Sequence, residues 1–133
     1  MLTNTVGSDN VIQLNENSRI PIYQQVYDGL LDLIVLKVLE EDEKLSSVRE
    51  LALMLEINPN TIQKAYKMLE SNGYIYSVKG KGNFVARYQE IISVYENNTV
   101  EKLKQVLKDL MVMGLTREEI LKHVKVALEG LEW

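Results

Sequence analysis

The stretch NPNTIQKAYKMLESNGYIYSVKGKGNFVA, residues 58 to 86, contains the change of period that decides the fold. Ile62, Ala65, Tyr66 and Leu69 recur at the spacing of one helical face. Beyond Gly73 the pattern alternates, with Tyr74, Tyr76 and Val78 set against Ile75 and Ser77 up to a glycine-lysine turn and Phe84-Val85. Pro59 suits a first helical position, Asn58 an N-cap and Asn72-Gly73 a stop. The stretch therefore predicts a helix and then a two-stranded hairpin turning at Gly80 to Gly82, where the glycines supply positive φ.

Upstream, Ser47 and Glu50 form a capping-box pattern ahead of Leu51, Ala52 and Leu55, so a short helix precedes the first by only Glu56 to Asn58. An earlier helix is expected to start around Ser18 to Pro21, to place Ile22, Val26, Leu30, Leu33 and Ile34 on one face, and to run to about Leu39. Glu40 to Glu43 then reads as a solvated loop, Val11 to Leu14 as a short strand and residues 1–10 as a flexible polar tail. Downstream, a helix beginning near Glu90 or Thr99 groups Val100, Leu103, Leu107 and Leu110, and Gly114 breaks it. Thr116 and Glu119 repeat the capping-box pattern before Ile120, Val124, Ala127, Leu128 and Leu131. Two such helices cannot bury their apolar faces alone and must pack on another surface or another copy.

Composition narrows the function. A chain of 133 residues supports one modest core with an appendage. It has no cysteine, so disulfides, thiolate metal sites and thiol nucleophiles are excluded. The first ten residues carry no basic or apolar signal run, and apolar stretches such as Leu33 to Leu36 are far short of a membrane span. These features set the expectation of a cytoplasmic protein without membrane contact. The net charge is −4, yet Lys44 to Tyr88 holds seven basic residues against three acidic ones. The acidic excess lies in Glu40 to Glu43 and the C-terminal third, so the two halves have different employment.

Two short helices joined by a three-residue turn and followed by a glycine-tipped hairpin describe a winged helix-turn-helix. The outward stripe of the second helix, Asn60, Gln63, Lys64 and Lys67, repeats at i, i+3, i+4 and i+7, with Thr61 on the same first turn. Amide side chains pair with adenine edges, and lysines suit guanine or phosphate. The first turn of that helix lacks a carboxylate, which keeps its positive end open to the DNA backbone. Arg49, a cation in the first turn of the preceding helix, breaks the dipole rule and is assigned a phosphate or guanine contact. Lys79, Gly80 and Lys81 form a wing tip able to track phosphates or enter the minor groove. A P-loop reading fails because the GxxxxGK[ST] spacing is absent.

PIYQQVYDGLLDLIVLKVL, KLSSVRELALMLEINPNTIQKAYKMLESNGYI and KGKGNFVA together resemble the DNA-binding domain of GntR-family bacterial transcription regulators, over about Val11 to Arg87. The remainder, VEKLKQVLKDLMVMGLTREEILKHVKVALEGL, resembles the YtrA subfamily, whose small C-terminal region serves dimerization. The resemblance implies DNA contacts at Arg49, Asn60, Thr61, Gln63 and Lys79 to Lys81, and suggests an operator near an ABC transporter operon. One departure stands out. Where the family has a glycine-leucine and proline-glycine pattern ending in LPS, this chain reads KVLEEDEKLSS.

The expected architecture is thus α+β and mainly α: a flexible tail over 1–10, a winged helix-turn-helix over 11–88, and a two-helix dimerization region over 89–133. Its interface residues would be Leu103, Leu107, Leu110, Met111, Ile120, Val124 and Leu128, with Met111 and Met113 read as interface rather than as a ligand pocket. A GntR-like module can precede an aminotransferase-like domain, but the chain ends at Trp133 without room for one, so no enzyme, cofactor, catalytic group or metal site is expected. His123 alone makes neither a base nor a metal site. The expected function is a dimeric, sequence-specific repressor on an inverted repeat of double-stranded DNA, with a small-molecule effector left open. The alternatives are a non-specific architectural DNA protein and, third, an adaptor whose acidic C-terminal helices bind another protein.

Overall fold

The computed structural model describes the backbone of residues 2–6 and 10–132 and the side chains of residues 12–132. The chain forms two units, Met1–Val94 and Tyr95–Trp133. In order it comprises β1 (Leu2–Val6), β2 (Asn10–Leu14), α1 (Ile22–Val35), α2 (Val48–Leu55), α3 (Pro59–Ser71), β3 (Ile75–Val78), β4 (Gly82–Val85), α4 (Tyr88–Val112) and α5 (Arg117–Glu129).

The core of the first unit is the meeting of three amphipathic helices. Val26, Leu30 and Ile34 of α1, Leu51 and Leu55 of α2, and Ile62, Ala65, Tyr66 and Leu69 of α3 are almost completely withdrawn from solvent. The apolar spacing read in the sequence is therefore the packing face of each helix. β2 closes one side through Ile12 and Leu14. Its approach to α1 depends on Gly29, where a Cβ would stand 2.9 Å from Ile12 Cγ2. A flexible tail was expected over residues 1–10, but Leu2–Val6 pairs antiparallel with β2, from Leu2 opposite Leu14 to Val6 opposite Asn10. The other residues of that tail, apart from Asn10 at the start of β2, lie outside the described residues.

β3 and β4 form the hairpin, with Ile75 opposite Val85 and Val78 opposite Gly82. A third segment joins it. Lys44 bridges Phe84, Leu45 N–H donates to the Asn83 carbonyl and Val85 N–H to the Glu43 carbonyl, so the acidic loop is stitched to the wing. Tyr76 stacks on Phe84 across the strands and donates its hydroxyl to Asp42 at 2.8 Å.

Helix ends show where the sequence reading was right and where it overran. Ser47 and Glu50 make the full capping box of α2, and Asn58 caps α3 with Pro59 at the first helical position. Pro21 is the N-cap of α1 and not its first helical residue, and its missing side-chain cap is offset by Gln25, which bonds both Asn15 and the Ile20 carbonyl. α1 ends at Val35, short of Leu39, because Lys37 turns to φ 60°. Thr116 caps α5 through Glu119 N–H, but Glu119 accepts from the Thr116 hydroxyl, so only half of the expected box forms.

Four helices end in the same paired motif, in which the residue at C″ bonds five positions back and the residue at C′ three back. The C′ residues are Lys37, Glu56, Gly73 and Gly114, all at positive φ. Two are glycines and two carry side chains where L-residues meet steric resistance. The loop read as departing from the family pattern thus keeps left-handed turns at Lys37 and Asp42 without glycine. Glu56, exposed at φ 57° within the turn between α2 and α3, is the clearest strain. Glu56→Gly should stabilise the first unit by up to about 1 kcal/mol, a Tm rise of a few degrees, while Glu56→Ala should give no such gain. Paired thermal melts of the two variants check it, since both remove the charge and only one relieves the backbone.

Candidate nucleic-acid interface

α3 has two faces with opposite surroundings. Ile62, Ala65, Tyr66 and Leu69 are at most 2% exposed, whereas Asn60, Gln63, Lys64 and Lys67 lie exposed on the other side. Those four share one shallow concave surface with Met68, Ser71 and Asn72. Thr61 is half-buried and does not line that surface. The stripe read from spacing is therefore brought together as a surface, and the first turn of the helix carries no carboxylate.

Arg49 belongs to a neighbouring surface. It is exposed in the first turn of α2 and lines a shallow groove with Ala52, Leu53, Glu56, Ile57, Asn58 and Pro59. Leu53, 81% exposed, forms an apolar patch beside it that the sequence reading did not single out. Lys79, Gly80 and Lys81 are exposed at the wing tip, where Lys81 N–H closes the turn onto the Val78 carbonyl and Gly80 holds φ 78°. Among the described residues the one recorded ion pair is Lys104 with Glu101. Among the described residues, none of Arg49, Lys64, Lys67, Lys79 and Lys81 has a carboxylate within 4.0 Å.

Two contacts escaped the sequence reading. Lys64 Nζ rests 3.7 Å from the ring centroid of Tyr23, on the first turn of α1. Tyr66, at the back of α3, donates its hydroxyl to the Ser46 carbonyl at 2.6 Å. That bond fixes the chain immediately before the α2 cap, so the helix presented outward and the helix carrying Arg49 share one anchor. Neither partner is close in sequence, and no local pattern announces such pairs.

Burial, helped by the Glu50 carboxylate, pushes the Tyr66 hydroxyl well above its ordinary pKa of 10.0, so it stays protonated as a donor. Tyr27, which accepts from Asn72 at 2.8 Å, is also raised, chiefly by burial. The sign follows: an unfolded tyrosine releases its proton near pH 10 while the folded one keeps it, so the stability these groups lend is complete below about pH 10 and declines above it.

In the second unit, Ile120 is the one buried side chain among residues 95–132. Leu107, Leu110 and Val124 are half-buried, while Leu103, Met111 and Leu128 are exposed, as are Val106, Met113 and Val126. α4 was expected as a short helix beginning near Glu90 or Thr99. It runs from Tyr88 for 25 residues, and its start packs Ile91 into the core of the first unit. The division between the two units falls after Val94, within this helix. His123 is exposed, and the described residues hold no cluster of three metal-ligating side chains and no helix long and apolar enough to cross a membrane.

Helix, turn, helix with outward amides and cations, and a glycine-tipped hairpin define a winged helix-turn-helix of the DNA-binding class. The sequence model of the bacterial regulatory proteins of the gntR family matches residues 22–85. The HTH-type transcriptional regulator YhcF of Bacillus subtilis is 39% identical over 111 residues, covering 83% of this chain and 92% of that protein. The HTH-type transcriptional repressor YtrA of the same organism is 34% identical over 117 residues, covering 86% and 90%. A transcriptional regulator from Oenococcus oeni superposes with a TM-score of 0.67 at 34% identity over 86% of this chain and 97% of its own. The AraR DNA-binding domain, solved in complex with operator ORE1, superposes with a TM-score of 0.50 at 34% identity over 56% and 90%. The chain belongs to the GntR family and is a DNA-binding transcriptional regulator similar to YtrA, not an enzyme.

Tyr66→Phe removes the hydroxyl anchor and should cost about 1 kcal/mol of unfolding free energy at pH 8. The same variant should show a shallower loss of stability between pH 9.5 and 11, roughly, because one raised phenol is gone. Urea titrations at both ends of that range measure each effect.

Proposed function

We propose that this regulator is a homodimeric, sequence-specific repressor that reads an inverted-repeat operator with α3 and its wing. The observation that carries it is the two-faced α3, whose inner side is sealed in the core while Asn60 and Gln63 stand free outside. Amides at the N-terminal end of a groove-bound helix suit bidentate pairing with adenine. Thr61 is assigned to the same first turn, Lys67 to phosphate or guanine, and Arg49 to phosphate or guanine beside α2. Lys79, Gly80 and Lys81 are assigned to phosphates or the minor groove. The repression itself rests on the likeness to YtrA, named as a repressor, and DNA as ligand is supported by the AraR domain bound to its operator.

Dimerization is supported by the second unit. Leu103, Leu107, Leu110, Met111, Val124 and Leu128 remain wholly or partly open, an apolar surface that a second copy would cover. Ile120 would support it from beneath. A dimer reads two half-sites, which multiplies the discrimination available to one helix. Occlusion of polymerase at the operator is the mode of action, and the YtrA resemblance makes an ABC transporter operon the first target to test. The regulator would act in the bacterial cytoplasm. A non-specific architectural role fits the wing cations but not free amides on the reading face, nor a net charge of −4.

Selection of bound duplexes from a random pool, at near-physiological salt, should enrich an inverted repeat. Enrichment of no motif would overturn the specific reading. Against that repeat, Asn60→Ala or Gln63→Ala should relax preference at defined positions by about 1 to 3 kcal/mol, while Lys81→Ala should weaken all sequences alike. Leu103→Glu with Met111→Glu should shift sedimentation from dimer to monomer and reduce operator affinity by at least roughly tenfold, since two half-sites are no longer linked.

A further inference from the structure

We propose that Tyr23 is a positioning residue for DNA recognition: its ring holds Lys64 so that this cation meets the phosphate backbone at the groove wall and not a base edge inside the groove. The inference rests on the reading of α3 as the recognition helix and adds to it a residue on a different helix.

The argument begins with what Lys64 touches. Its Nζ lies 3.7 Å from the Tyr23 centroid, within the range where an ammonium is attracted to the negative face of an aromatic ring. Among the described residues no carboxylate stands within 4.0 Å of it, so the ring is its one recorded partner. Tyr23 sits half-buried on the first turn of α1, and α1 packs along α3. Lysine stems are long and flexible, and an exposed lysine ordinarily samples many rotamers. This one is drawn off the outermost line of the helix toward its neighbour.

Direction then decides the target. In a helix-turn-helix the N-terminal residues of the recognition helix meet base edges, here Asn60 and Gln63. Lys64 lies one turn beyond Asn60, and the ring pulls it sideways toward α1, a helix that does not enter the groove. An ammonium on a ring still directs N–H groups away from that face, and at the groove wall the acceptors are phosphate oxygens. Pinning also means that little side-chain freedom is lost when the phosphate arrives. Lys67, with no such ring contact recorded, keeps its freedom, so the two lysines of one stripe have different roles.

The test is a double-mutant cycle read by fluorescence anisotropy on the selected operator and on a scrambled duplex at several salt concentrations. Lys64→Met, which keeps the stem, should weaken both duplexes by the same factor and lower the slope of log K against log salt by about 0.9, the value of one phosphate contact. Tyr23→Leu should weaken both by about threefold, the order of the side-chain freedom that an unpinned Lys64 would lose on binding, with the slope unchanged. In the Lys64→Met background Tyr23→Leu should add nothing, whereas a merely structural Tyr23 would cost the same in either background. Tyr23→Phe should match the native protein.

In the unaltered protein, the Lys64 ε-methylene protons should carry an upfield ring-current shift that persists in the DNA complex. Loss of that shift on binding, additivity in the cycle, or a Lys64→Met effect confined to one base position would each overturn the proposal. A native protein that bound operator and scrambled duplex equally would sink the specific-repressor reading, while the cycle and the ring-current shift would still decide the role of Tyr23.

Discussion

Everything in the first unit depends on α3 being held from behind. Ile62, Ala65, Tyr66 and Leu69 have almost no exposed surface, and burial of each large side chain contributes roughly 1.5 to 3 kcal/mol. Ala65, the smallest of the four, is also wholly withdrawn from solvent. A helix that must offer polar atoms to a duplex cannot also draw stability from that face. The inward stripe therefore supplies most of the holding energy, and the Tyr66 hydroxyl, bonded to the Ser46 carbonyl, adds a polar tie between α3 and the start of α2.

The same separation of duties explains the loops. The turn between α2 and α3 must bring two helices together within three residues, and it does so by forcing Glu56 into left-handed backbone. The longer loop before α2 keeps its shape by two such turns, at Lys37 and Asp42, and by lying along β4 as an edge segment. Asp42 offsets part of its cost with the Tyr76 hydroxyl, and Lys37 with the Tyr88 ring at 3.8 Å. Side-chain contacts thus replace what glycine would have given locally. The acidic residues of this loop do not undo the wing. They anchor it, since Glu43 and Asp42 bond to Val85 through their backbones while the wing-tip lysines remain outside.

Much of this was legible in the sequence because its signals are local. The apolar spacing of α3, the Ser47 to Glu50 box, Pro59 after Asn58, and the change to alternation after Gly73 each depend on neighbours within one or two turns. What was missed depends on distance or on backbone geometry. Leu2–Val6 looked loose because Thr3, Asn4 and Thr5 carry no apolar pattern, yet strand pairing needs only a partner backbone, which β2 provides. The overrun of α1 came from reading Leu36 and Leu39 as helix. Leu39 is buried, but from the turn, after Lys37 has reversed the chain. The candidate site shows the same division. The outward stripe follows from spacing, whereas the seat of Lys64 on Tyr23, 41 positions earlier in the numbering, required the fold.

The second unit poses the opposite physical problem, and its solution bears on function. α4 runs without interruption from Tyr88 to Val112, and its Ile91 is buried in the core of the first unit. One buried side chain, Ile120, is far too little to order 38 residues by itself when ordering costs on the order of 1 kcal/mol per residue. Leu103, Met111, Leu128 and their half-buried neighbours are the apolar surface whose covering would add to it. If a second copy supplies that cover, association and ordering become one event.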